Sequence, residues 1–369
     1  MSFSFQKRTL LGPGPSDVPP RILEALGKPT LGHLDPQFIA LMDEIKTLLK
    51  DAFLTQNEMT YTVSAPGSAG MESCFVNLVS PGDKVLVCIN GVFGKRMLEN
   101  VKRIGGIPIV LEFDWGKSVD PQKVEEAFKK NGAIKIMAFV HAETSTGVLS
   151  DAETLSGLAK KYNCLSIVDA VTSFAGNPLK VDQWELDAVY TGSQKCLSCV
   201  PGLSPVTFGP KALQKIEERS TPVQSWFLDV SLIKGYWGKG SQRAYHHTAP
   251  VNSLYALHEA LTLLKEEGLE HSWERHIKNH QLLKEGLEAL GLSFFVDEKE
   301  RAPQINAVTV PKGLNEAQVR QRLLQEFNLE IGAGLGPLAG KIWRIGLMGY
   351  SSREENVNFL LDSLKKVLA

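Results

Sequence analysis

Leu165-Ser166-Ile167-Val168-Asp169 and, twenty-six residues past that aspartate, Lys195 in Thr191-Gly192-Ser193-Gln194-Lys195-Cys196-Leu197 decide the fold. The first stretch is a short apolar run ending on a carboxylate. The second follows another such run, Asp187-Ala188-Val189-Tyr190, and carries a lysine just beyond it. Short apolar runs bounded by turn residues read as strands buried on both faces. More of them occur at Lys84–Ile89, after the turn Ser80-Pro81-Gly82-Asp83, and at Ile107–Phe113, Ile134–His141 and Pro205–Phe208. Helical stretches such as Asp120–Lys130 and Asp151–Tyr162 separate them, and this alternation predicts a largely parallel sheet with helices on both faces. Ligands in such sheets bind beyond the carboxyl ends of the strands. Asp169, Lys195 and Ser145 all lie at or just past predicted strand ends, so the topology brings them to one crevice.

After residue 250 the pattern changes to long helices, Ser253–Glu267 and His271–Leu290, then two or three strands and a last helix, Glu354–Val367. The expected architecture is α/β: an N-terminal arm over 1–20, a large domain with a mostly parallel sheet sandwiched by helices over 21–265, and a smaller C-terminal α/β domain over 266–369.

A lysine at a strand end can lose its proton and form a Schiff base with an aldehyde, and a carboxylate is the partner that keeps a pyridine nitrogen protonated. Lys195 with Asp169 therefore points to pyridoxal phosphate. Ser64-Ala65-Pro66-Gly67-Ser68-Ala69-Gly70 supplies a candidate phosphate cradle, because Met71, Cys74, Phe75 and Leu78 follow it at helical spacing. Unpaired amides at a helix start carry the positive end of the dipole, and small residues let a phosphate approach. Here the helix is expected to begin where the small residues stop.

Arg344 stands out in Lys341-Ile342-Trp343-Arg344-Ile345-Gly346-Leu347. Trp343, Ile345 and Leu347 occupy one strand face, and Arg344 shares the other with Ile342 and Gly346. Gly346 should leave room beside the guanidinium, whose planar fork suits a carboxylate.

Composition excludes several classes. Forty basic residues against forty-one acidic give a net charge of -1, with no basic stripe to suggest nucleic acid or an anionic membrane. No apolar run approaches the ~20 residues that cross a bilayer. Met1–Arg8 leads into Gly/Pro instead of a signal sequence, so the cytoplasm is expected. The five cysteines, Cys74, Cys88, Cys164, Cys196 and Cys199, sit at or beside apolar runs and read as buried small hydrophobes. Cys196 and Cys199 have metal spacing but no second pair of ligands. Adjacent His246 and His247 should point opposite ways on an extended chain, so no metal site is expected. Gly332-Ala333-Gly334-Leu335-Gly336 imitates a dinucleotide fingerprint, but it leads toward a strand and not into a helix, which argues against a nicotinamide enzyme.

Seven motifs in order give the chain a resemblance over nearly its whole length: Leu10-Leu11-Gly12-Pro13-Gly14-Pro15-Ser16, Asn90-Gly91-Val92-Phe93-Gly94, His141-Ala142-Glu143-Thr144-Ser145-Thr146-Gly147, Val168-Asp169-Ala170-Val171-Thr172-Ser173, Gly192-Ser193-Gln194-Lys195, Tyr245-His246-His247-Thr248 and Gly340-Lys341-Ile342-Trp343-Arg344-Ile345-Gly346. The chain resembles the class V aminotransferases of fold type I, in particular their alanine–glyoxylate and serine–pyruvate branch. The resemblance implies that Lys195 is the Schiff-base lysine and proton carrier, and that Asp169 faces the pyridine nitrogen. It puts Val171 and Phe93 on the two ring faces, Gly67, Ser68 and Gln194 at the phosphate, and Ser145 near the ring hydroxyl and the substrate. Arg344 would hold the substrate carboxylate, and the loop with Gly14, together with Gly32-His33-Leu34, would close over the site. Tyr245 and Thr248 would reach the phosphate of a neighbouring subunit, making a homodimer with shared sites. Pro66 departs from the hydroxyl residue usual there and removes one phosphate contact.

The implied reaction moves an amino group from a small amino acid, alanine or serine, to glyoxylate or pyruvate, with ureidoglycine as an alternative donor. A cysteine desulfurase of this fold needs a cysteine well downstream of the lysine, and none follows Cys199. A non-catalytic scaffold subunit would not need Asp169, Lys195 and Arg344 intact.

Overall fold

Apolar residues at consecutive positions need cover on both faces, and this requirement organises the protein. The computed structural model describes residues 4–238 and 243–369, so the first three residues of the expected arm lie outside the described residues. Seven strands form the main sheet: β1 (Met59–Val63), β2 (Lys84–Ile89), β3 (Ile107–Glu112), β4 (Ile136–Val140), β5 (Leu165–Asp169), β6 (Ala188–Tyr190) and β7 (Ser204–Phe208). Their order is β1-β7-β6-β5-β4-β2-β3. Every residue of β1, β4 and β7 is buried, as expected of strands sandwiched between helices. Pro108 falls in β3, which is the sheet edge, where a missing N–H breaks no ladder. β7 runs antiparallel to both its neighbours and the remaining pairs are parallel. An apolar run of this length fixes burial but not direction.

Helices start where the sequence supplies caps. Asp120 accepts from Gln122 N and Asp151 from Thr154 N, each satisfying an orphan amide of the first turn. The helix α1 (Gly67–Leu78) begins earlier than expected: Gly67, Ser68, Ala69 and Gly70 form its first turn behind Pro66, so the helix starts within the small residues instead of after them. They show no apolar period, yet smallness is what the packing requires, since a Cβ on Gly70 would overlap Ser204 Oγ on β7.

The α2 helix (Val92–Ile104) follows β2, and α3 (Val251–Glu267) runs along the main body. Beyond Gly268, at φ +85°, come α4 (Leu269–Ala289), β8 (Ile305–Thr309), α5 (Glu316–Phe327), β9 (Gly332–Ala333), β10 (Ile342–Gly346) and α6 (Glu354–Leu368). β10 lies between β8 and β9, antiparallel to both, and this sheet shares a separate apolar core with α4, α5 and α6 around Trp343, Leu323 and Leu360. The N-terminal segment belongs to that core: Leu11 is buried in it and Thr9–Leu10 pairs with Leu329–Glu330. The glycine-rich stretch at 332–336 enters β9 and a 3₁₀ turn, with no helix behind it.

Candidate active site

β5 and β6 are neighbouring parallel strands, so their carboxyl ends lie side by side, and the chain leaves each of them into a cavity of about 190 Å³. Gly67, Ser68, Phe93, Asp169, Val171, Gln194 and Lys195 line it, together with Pro66, Arg96 and Tyr190. Asp169 is 2% exposed; its Oδ1 accepts from Val171 N at 2.8 Å and its Oδ2 from the Tyr190 hydroxyl at 2.8 Å. Burial outweighs those two donors and lifts the carboxyl pKa to about 7. For Lys195, at 9% exposure, burial and then the nearby positive charge of Arg344 pull the ammonium down to about 8. A lysine in that range holds a useful fraction of neutral amine near neutral pH. Val171 is in the turn after β5, two residues past Asp169. It lines the cavity, with its Cγ2 against Gly67.

The first turn of α1 also lines the cavity, through Gly67 and Ser68. Pro66 contributes neither an amide nor a side-chain cap there. Gln194 Oε1 is buried with no hydrogen-bond partner among the described residues. Phe93, in the first turn of α2, forms one wall, and the Arg96 guanidinium sits 4.8 Å from the centre of its ring.

Arg344 is on β10, buried to 7% exposure, and pairs with no carboxylate among the described residues. Its Nε donates to Ala333 O at 2.7 Å and its Nη1 to Thr144 O at 3.2 Å, which aims the fork while leaving Nη2 uncommitted. Burial pulls its pKa down to about 10. The room expected beside it at Gly346 is filled: a Cβ there would overlap Gly12 O, and Gly346 N donates to Leu11 O at 2.8 Å. Glycine at this position admits the N-terminal loop, and that loop reaches the lysine. Lys195 Nζ donates to Pro13 O, and a Cβ on Gly14, at φ +99°, would stand 2.6 Å from that nitrogen.

Ser145 does not line the cavity. It is fully buried behind Phe93, donating to Glu143 Oε1 at 2.6 Å and accepting from Val92 N at 3.0 Å. Glu143 was missed by sequence reasoning. Its buried carboxylate accepts from Phe93 N at 3.1 Å and Ser145 N at 3.0 Å, tying the start of α2 to the turn that carries Thr144 O. The sequence signal was a lone acid in the motif 141–147. Burial raises its pKa against these donors.

Residues 10–359 match the family profile of aminotransferase class-V. The chain belongs to the class-V aminotransferases. It is 41% identical over 367 residues to the alanine–glyoxylate aminotransferase of Rattus norvegicus, covering 99% of this chain and 88% of the rat protein. With the (S)-ureidoglycine–glyoxylate transaminase of Bacillus subtilis it shares 38% identity over 379 residues, 98% of this chain and 90% of that one. The crystal structure of alanine–glyoxylate aminotransferase from Nostoc sp. superposes with a TM-score of 0.97 at 44% identity, covering 100% of this chain and 97% of that chain. The fold is fold type I, and the aminotransferase is pyridoxal-phosphate dependent. The lining fits that cofactor: apolar side chains at Val171 and Phe93, the Asp169 carboxylate, the first turn of α1 at Gly67 and Ser68, the Gln194 side chain, whose NH₂ can donate to a phosphate, and Lys195.

The segment 245–248 does not line this cavity. Tyr245 is 60% exposed, with its hydroxyl 3.3 Å from Thr248 Oγ1, and neither residue lines the cavity of its own chain. His246 and His247 do not point apart: their Nδ1 atoms are 2.7 Å from each other, because this stretch is irregular backbone and strand alternation does not apply. His246 stacks on Trp226, and His247 Nε2 lies 2.7 Å from Ser64 Oγ. All five cysteines are buried free thiols. Among the described residues no helix is long and apolar enough to cross a membrane.

Proposed function

We propose that this aminotransferase moves the amino group of a small amino acid, alanine or serine, to glyoxylate, with pyruvate as a second acceptor. The observation that carries this reading is Lys195 and Asp169 on one cavity wall with the unpaired Arg344 fork beside the lysine. Two relatives named for glyoxylate support the acceptor. Pyridoxal phosphate, when bound, supplies an aldehyde carbon for the amine and a cationic ring that takes up electrons. Lys195 Nζ would hold it and, as a free amine, would take the proton from the substrate's α-carbon. Asp169 would keep a proton on the ring nitrogen, and Val171 and Phe93 would pack on the ring faces. Gly67, Ser68 and Gln194 would hold the phosphate, and Gly14 lets the N-terminal loop close over the lysine; Ser145, bonded to Glu143 and Val92 N, would act through the start of α2 that carries Phe93. That close loop crowds the site and favours small substrates. We further propose a homodimer in which Tyr245 and Thr248 complete the partner's phosphate site, a boundary near residue 265 between a large and a small domain, and a cytoplasmic location. Five unpaired cysteines favour a reducing compartment.

The test is chemical. The purified protein should be yellow, and borohydride should fix a pyridoxyl group on the peptide containing Lys195; a label on Lys161 or any other lysine overturns the assignment. Alanine, serine and (S)-ureidoglycine assayed with glyoxylate and then pyruvate rank the donors.

Arg344→Lys is expected to weaken amino-acid and oxo-acid substrates alike, because all of them share one α-carboxylate and an ammonium cannot replace the fork. The loss should appear in kcat/KM at roughly 1.5 to 3 kcal/mol, the range of a charged hydrogen-bonded contact. A loss confined to one half-reaction would show that Arg344 does not serve both.

A further inference from the structure

Tyr190 lines the cavity but has no part in the roles assigned above. It is fully buried at the end of β6, where its hydroxyl donates to Asp169 Oδ2 at 2.8 Å. Val171 N takes the other oxygen at 2.8 Å. One donor on each oxygen fixes the plane of the carboxylate and leaves each oxygen a lone pair for a further donor. Burial and the adjacent carboxylate push the Tyr190 phenol well above its ordinary pKa, so it stays a hydroxyl. The other titratable groups that face Asp169 are Glu143, whose charge disfavours the carboxylate, Lys195, which favours it, and Cys74 on α1. Phenylalanine would pack the same site, so the hydroxyl's observed work is this one bond.

We propose that Tyr190 is a positioning residue for transamination, whose hydroxyl keeps Asp169 a fixed, ionised carboxylate facing the cofactor ring. The inference rests on the role proposed for Asp169. A proton between a carboxylate and a pyridine nitrogen has two places to sit. A donor on Oδ2 stabilises the carboxylate and leaves the proton on the ring. Without that donor the carboxylate becomes more basic and draws the proton to itself. The ring then loses the positive charge that receives electrons when Lys195 removes the α-proton. Proton abstraction slows, while Arg344 grips the substrate as before.

The experiment is Tyr190→Phe in the holoenzyme with alanine and glyoxylate. The expected kcat falls about tenfold with KM for alanine unchanged, and the primary isotope effect with α-deuterated alanine rises, because abstraction has become the slower step. In an Asp169→Asn background the same change should alter neither value further, as two residues acting through one contact require. A wild-type kcat and isotope effect in Tyr190→Phe overturn the proposal. So does an equal loss in both backgrounds, which would make the tyrosine merely structural. If Tyr190→Phe lowers the melting temperature, 3-fluorotyrosine at position 190 keeps ring and hydroxyl and is a stronger donor. An isotope effect moving opposite to that of phenylalanine supports the proposal, and one moving the same way overturns it. The Lys195 label persists through all of these outcomes, whereas failure of the functional reading would abolish it.

Discussion

Asp169→Asn should cut turnover about a thousandfold while the fold and the borohydride label on Lys195 are retained. Asparagine matches the carboxylate in shape. Its oxygen can accept from Val171 N and its NH₂ can donate to the Tyr190 oxygen, so both contacts persist in shape, although the Tyr190 proton loses its acceptor at a cost of about 1 to 3 kcal/mol. What it cannot supply is the negative charge that keeps a proton on a pyridine nitrogen. Both half-reactions pass through removal of a proton from the carbon next to nitrogen, so both should slow by a similar factor when followed separately. Turnover within about threefold of wild type would remove Asp169 from the chemistry.

The same variant carries a signature in cofactor-free protein, where loss of activity plays no part. Burial lifts Asp169 from 3.8 to about 7 in the folded chain. A carboxyl raised in this way stays protonated in the fold over a range where the unfolded chain has already released its proton. Its contribution to stability is therefore fully present below about pH 4, declines as the pH rises toward 7, and is level above that. Asparagine has no proton to lose. The stability of Asp169→Asn relative to wild type should rise across that window, by at most on the order of 4 kcal/mol for a shift from 3.8 to about 7. Urea unfolding at about pH 4 and about pH 8 measures it. A difference that does not vary with pH would mean that the folded protein keeps this carboxylate ionised throughout.

Much of this arrangement was legible in the sequence because its parts lie at the ends of short apolar runs. Asp169 ends β5, Lys195 follows β6, and parallel neighbours bring such ends together whatever the side chains. The ordered motifs added Phe93, Val171 and Gln194, and the small-residue run 64–70 added Gly67 and Ser68; all of them line the same cavity. What escaped was contact between distant segments. Glu143 reads as one acid in a turn until the start of α2, fifty residues earlier, delivers Phe93 N to it. Tyr190 reads as strand interior, because nothing in its neighbourhood says that its ring reaches across to the adjacent strand end. Gly346 looked like empty space beside Arg344, and the backbone at Gly12 occupies it. The start of α1 reads late because Gly67 to Gly70 carry no large apolar side chain from which a period could be read. Strand alternation misdirected His246 and His247, since a periodicity argument holds only where there is a strand.

Mixed dimers give the largest recoverable effect. Tyr245 and Thr248 are exposed and do not line the cavity of their own chain, so in the proposed homodimer each site would take its lysine from one chain and this pair from the other. Lys195→Ala alone, and Tyr245→Ala with Thr248→Ala, should each leave almost no activity. Mix the two variants and let subunits exchange. In a mixed dimer, the site built from the intact lysine of one chain and the intact Tyr245 and Thr248 of the other is complete, and the second site carries both defects. Random reassortment makes half of the dimers mixed, and each of these has one good site in two, so roughly a quarter of wild-type activity should return from two nearly dead preparations. Same-chain sites would behave differently, because every site would then carry one lesion or the other whatever its partner. No recovery despite demonstrated exchange would therefore place Tyr245 and Thr248 in the site of their own chain and dissolve the composite site, while leaving Lys195, Asp169 and the cavity between them untouched.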